Sequence, residues 1–170
     1  RASKVAKLFN TNKIRVFSYL KDISYNPTDF ASTLHELDKL AVGNNILFLL
    51  ENEPVCNLAH FNDTLELISK LDVKNIKLLV DVGNIYKIGQ EVNFEEFKGA
   101  TKYCDYYHLK DWKDGRFVAL GEGIIPFKLL LDEISRFHKE FSLSLETHTK
   151  NKVDVLNSLV YLKKICQKFQ

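Results

Sequence analysis

The sequence predicts one α/β domain built on a parallel sheet. Three observations predict it. Short, near-continuously apolar runs recur along the chain, helix-period segments lie between them without interruption, and no composition shift or linker marks a boundary within residues 1–170. Strands this apolar, with little alternation, suit a parallel sheet buried on both faces.

The elements follow in order. RASKVAKLFN (1–10) reads as the end of a helix, and IRVFSY (14–19) is the first strand. DFASTLHELDKL (29–40) places Phe30, Leu34, Leu37 and Leu40 at three- and four-residue spacing, which is one face of a helix. ILFLLEN (46–52) is the second strand. NDTLELISKL (62–71) is a helix, with Asn62, Asp63, Thr64 and Glu66 offering capping chemistry at its start. IKLLVDV (76–82) and DYYHLKD (105–111) are strands on either side of the helix NFEEFKGATKY (93–103). PFKLLLDEISRF (126–137) is a helix with Pro126 in its first turn. FSLSLET (141–147) is the fifth strand, and VDVLNSLVYLKKI (153–165) the last helix.

Composition excludes several classes. With 45% hydrophobic and 12% aromatic residues the chain fills one core, and seven Gly and three Pro argue against disorder or repeat linkers. A net charge of +2, from 24 basic and 22 acidic residues spread along the chain, gives no footprint for nucleic acid and no polybasic membrane patch. The Lys-rich YLKKICQK (161–168) reads as a solvated helix face. Cys56, Cys104 and Cys166 match no zinc spacing, so reduced thiols and a cytoplasmic protein are expected. The longest apolar run, ILFLL (46–50), is far short of a membrane span, and no secretory signal is visible. Residue 1 is Arg and the chain has no Met, so a truncated N-terminus is expected; a homo-oligomer stays open.

Two architectures compete, an open doubly wound sheet and a closed eight-stranded barrel. The chain has no G-x-G-x-x-G and no P-loop; its one G-x-G, Gly121-Glu122-Gly123, lacks the third glycine and reads as a tight loop. A closed (β/α)₈ barrel needs about 250 residues, so roughly 80 residues, or three βα units of about 30 each, are expected before residue 1.

The chemistry lies at the strand ends. The apolar runs finish in Glu51, Asp81, His108 and Glu146, at the end of the strand where α/β barrels assemble active sites. A charge inside a buried strand is costly unless paired or metal-bound, and none of the four has a Lys or Arg in the same strand position. Singly, each is explained as a helix cap, a rim carboxylate or a satisfied core histidine. Jointly, two Glu, one Asp and one His suit one divalent metal ion, Mn²⁺, Mg²⁺, Co²⁺ or Zn²⁺, in an oxygen-rich site.

LLENEP, LLVDVGN, YYHLKD, ALGEG and LSLET resemble the successive strand-end motifs of the xylose-isomerase-like TIM barrel superfamily, in particular its sugar phosphate isomerase/epimerase branch. The resemblance runs from about residue 14 to 165 and implies the C-terminal five strands of the barrel. It implies that Glu51, Asp81, His108 and Glu146 bind one divalent ion, and that Glu51 and Glu146 also move protons through an enediolate on a small-molecule sugar substrate. It further implies a substrate-orienting role for Lys110, in the HxKD string it shares with Asp111. Asn84 stands where many relatives have His; it is a poor metal ligand but able to bind a sugar hydroxyl. With Asn84, and with no His in KDWKDGRFVALGEG, the apurinic-site endonucleases of the superfamily fit poorly. Glu53 occupies the place of xylose isomerase's catalytic lysine. The expected activity is thus a metal-dependent isomerase or epimerase, with a dehydratase of a cyclic polyol or keto acid, or a non-catalytic carbohydrate-binding remnant, as alternatives.

Overall fold

A computed structural model describes residues 1–21 and 23–167. The elements are α1 (Ala2–Leu8), β1 (Lys13–Val16), α2 (Pro27–Asn44), β2 (Leu47–Glu51), α3 (Phe61–Lys70), β3 (Ile76–Asp81), α4 (Val82–Lys87), α5 (Phe94–Thr101), β4 (Cys104–Leu109), β5 (Asp111–Lys113), β6 (Arg116–Val118), α6 (Phe127–Phe137), β7 (Ser142–Leu145) and α7 (Lys152–Cys166). Five strands form one parallel sheet in the order β1-β2-β3-β4-β7. The chain is an α/β partial barrel.

Local chemistry sets the helix starts. Asn26, Asn93 and Asn151 each accept a backbone N–H in the first turn of α2, α5 and α7, and Pro27 opens α2 with its φ already helical. The cap of α3 is His60, whose Nδ1 accepts the Asn62 N–H at 3.0 Å, and not the expected Asn-Asp-Thr group. Pro126 lies one residue before α6, at its N-cap position.

Alternation along each strand divides the sheet into two faces. Phe48, Leu50, Ile76, Leu78, Val80 and Leu109 pack with Leu34, Phe61, Phe97, Leu130 and Ile134 from the helices, and this layer is the core. Arg15, Leu49, Leu79, Tyr106 and His108 line the other face, around a cavity of about 260 Å³ that also touches Thr11 and Lys13. That face is concave. In a flat sheet the outermost strands β1 and β7 would lie about 19 Å apart, four strand spacings. Yet Lys13 Nζ donates to Ser142 Oγ at 3.1 Å, straight across the arc.

Two elements lie outside the periodicity. Helix α4 begins directly where β3 ends, so its buried Val82, Ile85 and Tyr86 prolong the apolar run of the strand. The β5–β6 hairpin turns on Asp114-Gly115, both with positive φ, the two-residue signature of a tight hairpin. Lys163 and Lys164 are exposed on α7, as expected of the Lys-rich run, whose Lys168 lies outside the described residues. The three thiols are free; burial pushes Cys104 up to about 12. Among the described residues no helix is long and apolar enough to cross a membrane.

Strands β1 and β7 each pair on one side only among the described residues. Exposed apolar side chains accompany both edges: Leu8, Phe9 and Phe17 around β1, and Leu156, Leu159 and Val160 on α7. Unpaired, apolar-flanked edges invite association. A polypeptide of these 170 residues is therefore expected to self-associate at micromolar concentration. Light scattering checks this, and a stable dilute monomer with a cooperative melt contradicts it.

Candidate metal centre

Glu51 and Asp81 are the last residues of β2 and β3, and His108 is the penultimate residue of β4, directly opposite Asp81 in the ladder. Glu146 follows β7, held in line because its N–H donates to the Leu109 carbonyl at 2.9 Å. The curl of the sheet brings one ligand atom from each of the four within 4.8 Å of the others. Glu51 and Asp81 are fully buried, His108 nearly so, and Glu146 is partly open.

Cations share this space, contrary to the expectation from the strand positions. Lys110 lies two residues past His108, on the same side of the strand, and its Nζ sits 2.8 Å from Asp81 Oδ2 and 2.9 Å from Glu146 Oε2. Arg15 reaches over from β1, with Nη1 3.2 Å from Glu51 Oε2 and 3.3 Å from Glu146 Oε1. His108 Nδ1 lies 3.0 Å from Glu51 Oε1, 3.5 Å from Glu146 Oε2 and 3.7 Å from Asp81 Oδ2. His148 Nε2 is 3.2 Å from Glu146 Oε2.

The electrostatics follow from this packing. Burial pushes His108 down, but the facing carboxylates of Asp81, Glu146 and Glu51 outweigh it and hold the imidazole up at about 11. The His108 hydrogen bond holds the Glu146 carboxyl well below the usual carboxylate range, against burial and with help from Lys110. Burial also works against the Lys110 charge, and Asp81 with Glu146 raises its pKa nonetheless.

A ring of amides fixes Asp81. Its N–H donates to Asn52 Oδ1 at 2.8 Å, its carbonyl accepts from Asn52 Nδ2 at 2.9 Å, and its Oδ1 accepts the Asn84 N–H at 3.0 Å. Asn84 Nδ2 in turn donates to the Asn52 carbonyl at 2.8 Å, and the residue is buried. Asn84 thus has a structural contact as well: its amide ties the ends of β2 and β3 together.

The donor set fits a divalent ion. Asp81 Oδ2 is buried and accepts no hydrogen bond, since Lys110 stands at ion-pair distance but off the geometry of one. The Lys110 charge compensates this oxygen but leaves it without a hydrogen bond, and it faces three other ligand groups. Three carboxylates and one imidazole are the hard-to-borderline donors such an ion takes.

Asp111 organises the neighbouring wall. Its Oδ2 accepts the Gly121 and Gly123 N–H groups at 2.8 and 2.9 Å, and its Oδ1 those of Trp112 and Ile125 at 2.9 and 3.2 Å. A Cβ on Gly123 would collide with this carboxylate. The G-x-G therefore cradles an internal anion. The hairpin that follows sets the Phe117 ring 5.3 Å from Lys110 Nζ and 5.3 Å from the His148 ring.

Sequence reasoning passed over Arg15, His148 and Phe117. A signal existed for the first two: Arg15 is a charge inside an apolar strand run, and His148 follows Glu146 by two residues. His108→Ala is expected to weaken Mn²⁺ affinity by at least about 100-fold, the upper loss seen for groups that merely support ligands, with the far-UV circular dichroism unchanged. Titration calorimetry checks this; collapse of the fold would mark His108 as a core histidine instead. Asp111→Ala leaves four backbone donors without an acceptor and is expected to cost at least about 3 kcal/mol in urea unfolding.

Comparison with known proteins places this geometry. Residues 15–165 match the family model described as xylose isomerase-like TIM barrel. A 3-dehydroshikimate dehydratase from Bacillus anthracis is 25% identical over 177 residues, covering 91% of this chain. The chain spans 62% of the length of that relative. A D-tagatose 3-epimerase-like protein superposes with a TM-score of 0.80 at 21% identity, over 99% of this chain and 67% of the other. The IOLI protein with a bound zinc atom also gives 0.80, at 16% identity over 99% and 68%. The chain belongs to the xylose isomerase-like TIM barrel family.

Proposed function

We propose that the protein is a divalent-metal-dependent sugar isomerase or epimerase that moves a proton at the carbon next to a substrate carbonyl. The observation that carries this is the meeting of four ligand groups within 4.8 Å at the C-terminal rim of the sheet, with Glu146 the most open of them. An ion held by Glu51, Asp81, His108 and Glu146 supplies Lewis acidity toward the carbonyl when bound.

The side chains then divide the remaining work. Glu146 is 29% exposed against 1% for Glu51, so it meets the substrate from the open side and takes or returns the proton there. Glu51 serves the opposite face; its Oε1 is pinned by His108 and its Oε2 is reached past Arg15. Lys110, beside Glu146, orients a substrate oxygen. The Phe117 and Trp112 rings wall this side of the site against water. The substrate in this proposal is a small sugar, sugar phosphate or keto-sugar met in the cytoplasm.

A second reading is dehydration of a cyclic polyol or keto acid, and the 25%-identical dehydratase favours it. Both reactions begin with the same proton removal and differ in what leaves. The Mn²⁺-loaded protein in D₂O, given a panel of ketoses, inososes and cyclic keto acids, is expected to exchange the carbon-bound proton next to the carbonyl. Proton NMR reads this, and the products separate isomer from dehydrated acid. Glu146→Gln is expected to slow exchange by at least about 100-fold. No exchange on any compound with Mn²⁺ bound would leave a carbohydrate-binding remnant.

A further inference from the structure

The three carboxylates of the cluster carry three negative charges in a space that their ligand atoms span within 4.8 Å. Two basic side chains, together worth the charge of one divalent ion, already occupy their oxygens. Lys110 bridges Asp81 Oδ2 and Glu146 Oε2, and Arg15 bridges Glu51 Oε2 and Glu146 Oε1. Each cation spans a different pair of carboxylates, and between them they touch all three. Among the described residues, neither side chain donates a hydrogen bond elsewhere.

We infer that Lys110 and Arg15 are placeholder cations: they hold the carboxylates together without metal and give up those oxygens when the ion binds. This rests on the metal-site reading above. The two residues differ in what surrounds them. The Lys110 side chain is 2% exposed, so its charge is compensated only by the cluster and by the Phe117 ring 5.3 Å away. The Phe117 ring is the second cradle to which the ammonium turns when Asp81 Oδ2 is taken. The Arg15 side chain is 43% exposed and stacks near the Phe17 ring at 5.1 Å, so it withdraws toward water at little cost. The buried Lys110 is accordingly the stronger competitor with the metal, because a charge is screened less where water is excluded.

The inference makes two effects of one substitution run in opposite directions. Without metal, Lys110→Met leaves Asp81 and Glu146 with less neutralising charge, so the melting temperature falls. With metal, the ion no longer competes with an ammonium, so Mn²⁺ binds tighter, on the order of tenfold. An ordinary loss of site structure would lower both. The experiment is Mn²⁺ titration by calorimetry, with melting curves at zero and saturating Mn²⁺, on the unaltered protein, Lys110→Met and Arg15→Met. The expected result is a larger Mn²⁺-induced rise in melting temperature for Lys110→Met than for the unaltered protein, and a smaller gain for Arg15→Met. Should Lys110→Met not fold without metal, Arg15→Met still decides, since its gain in affinity must have the same sign. Equal or weaker Mn²⁺ affinity in the variants, with the unaltered protein binding normally, overturns the placeholder role alone. No Mn²⁺ binding by the unaltered protein overturns the metal site and this inference together.

Discussion

Mutual repulsion among Glu51, Asp81 and Glu146 is the constraint on which the rest of this structure depends. Two like charges about 4 Å apart cost on the order of 4 kcal/mol at the effective dielectric of a protein site, and here three such groups meet with little water to screen them. A cluster of that kind persists only if cations are built in around it. His108, Lys110 and Arg15 surround it here, and each comes from a different position in the chain.

The sheet exists to bring them together. Glu51, Asp81 and His108 stand at or next to the ends of neighbouring strands, and the parallel register keeps those ends level. Arg15 and Glu146 belong to opposite edges of the sheet, so their contact depends on curvature rather than on pairing. The Lys13–Ser142 contact one layer below repeats that closure across the concave face. The ring formed by Asn52, Asp81 and Asn84 adds local stiffness where β2 and β3 end, so the carboxylate of Asp81 has one orientation despite its repulsive neighbours.

The sequence was most legible where two signals agreed. The five strands of the parallel sheet were visible because buried parallel strands are apolar throughout, and the polar residues closing those runs then stood out against them. The xylose-isomerase-like superfamily was legible from the same strand-end strings. Helix α4 was hidden because Val82, Ile85 and Tyr86 extend the apolar pattern of β3 past its end, with Asp81 serving at once as strand end and helix cap. The β5–β6 hairpin carried a legible Asp-Gly turn but only three residues on either side, too short for alternation to register. Arg15 was the instructive omission: a basic residue within an apolar strand is the counterpart of the acidic strand ends, and it meets them in space 36 and 131 positions away. Asn84 carries a contact that its place in the motif did not announce, since its amide donates to the Asn52 carbonyl and joins two strand ends.

The hairpin wall has one more property. Trp112 is the one tryptophan among these 170 residues, and it sits on β5 with its ring edge-on to Phe117 at 4.9 Å and its backbone N–H on the Asp111 carboxylate. The tryptophan fluorescence of these 170 residues therefore comes from a single lamp mounted beside the site. Its emission colour reports whether the wall is packed or wetted, and a paramagnetic ion held nearby dims it, so site and wall are both observable by light without any label.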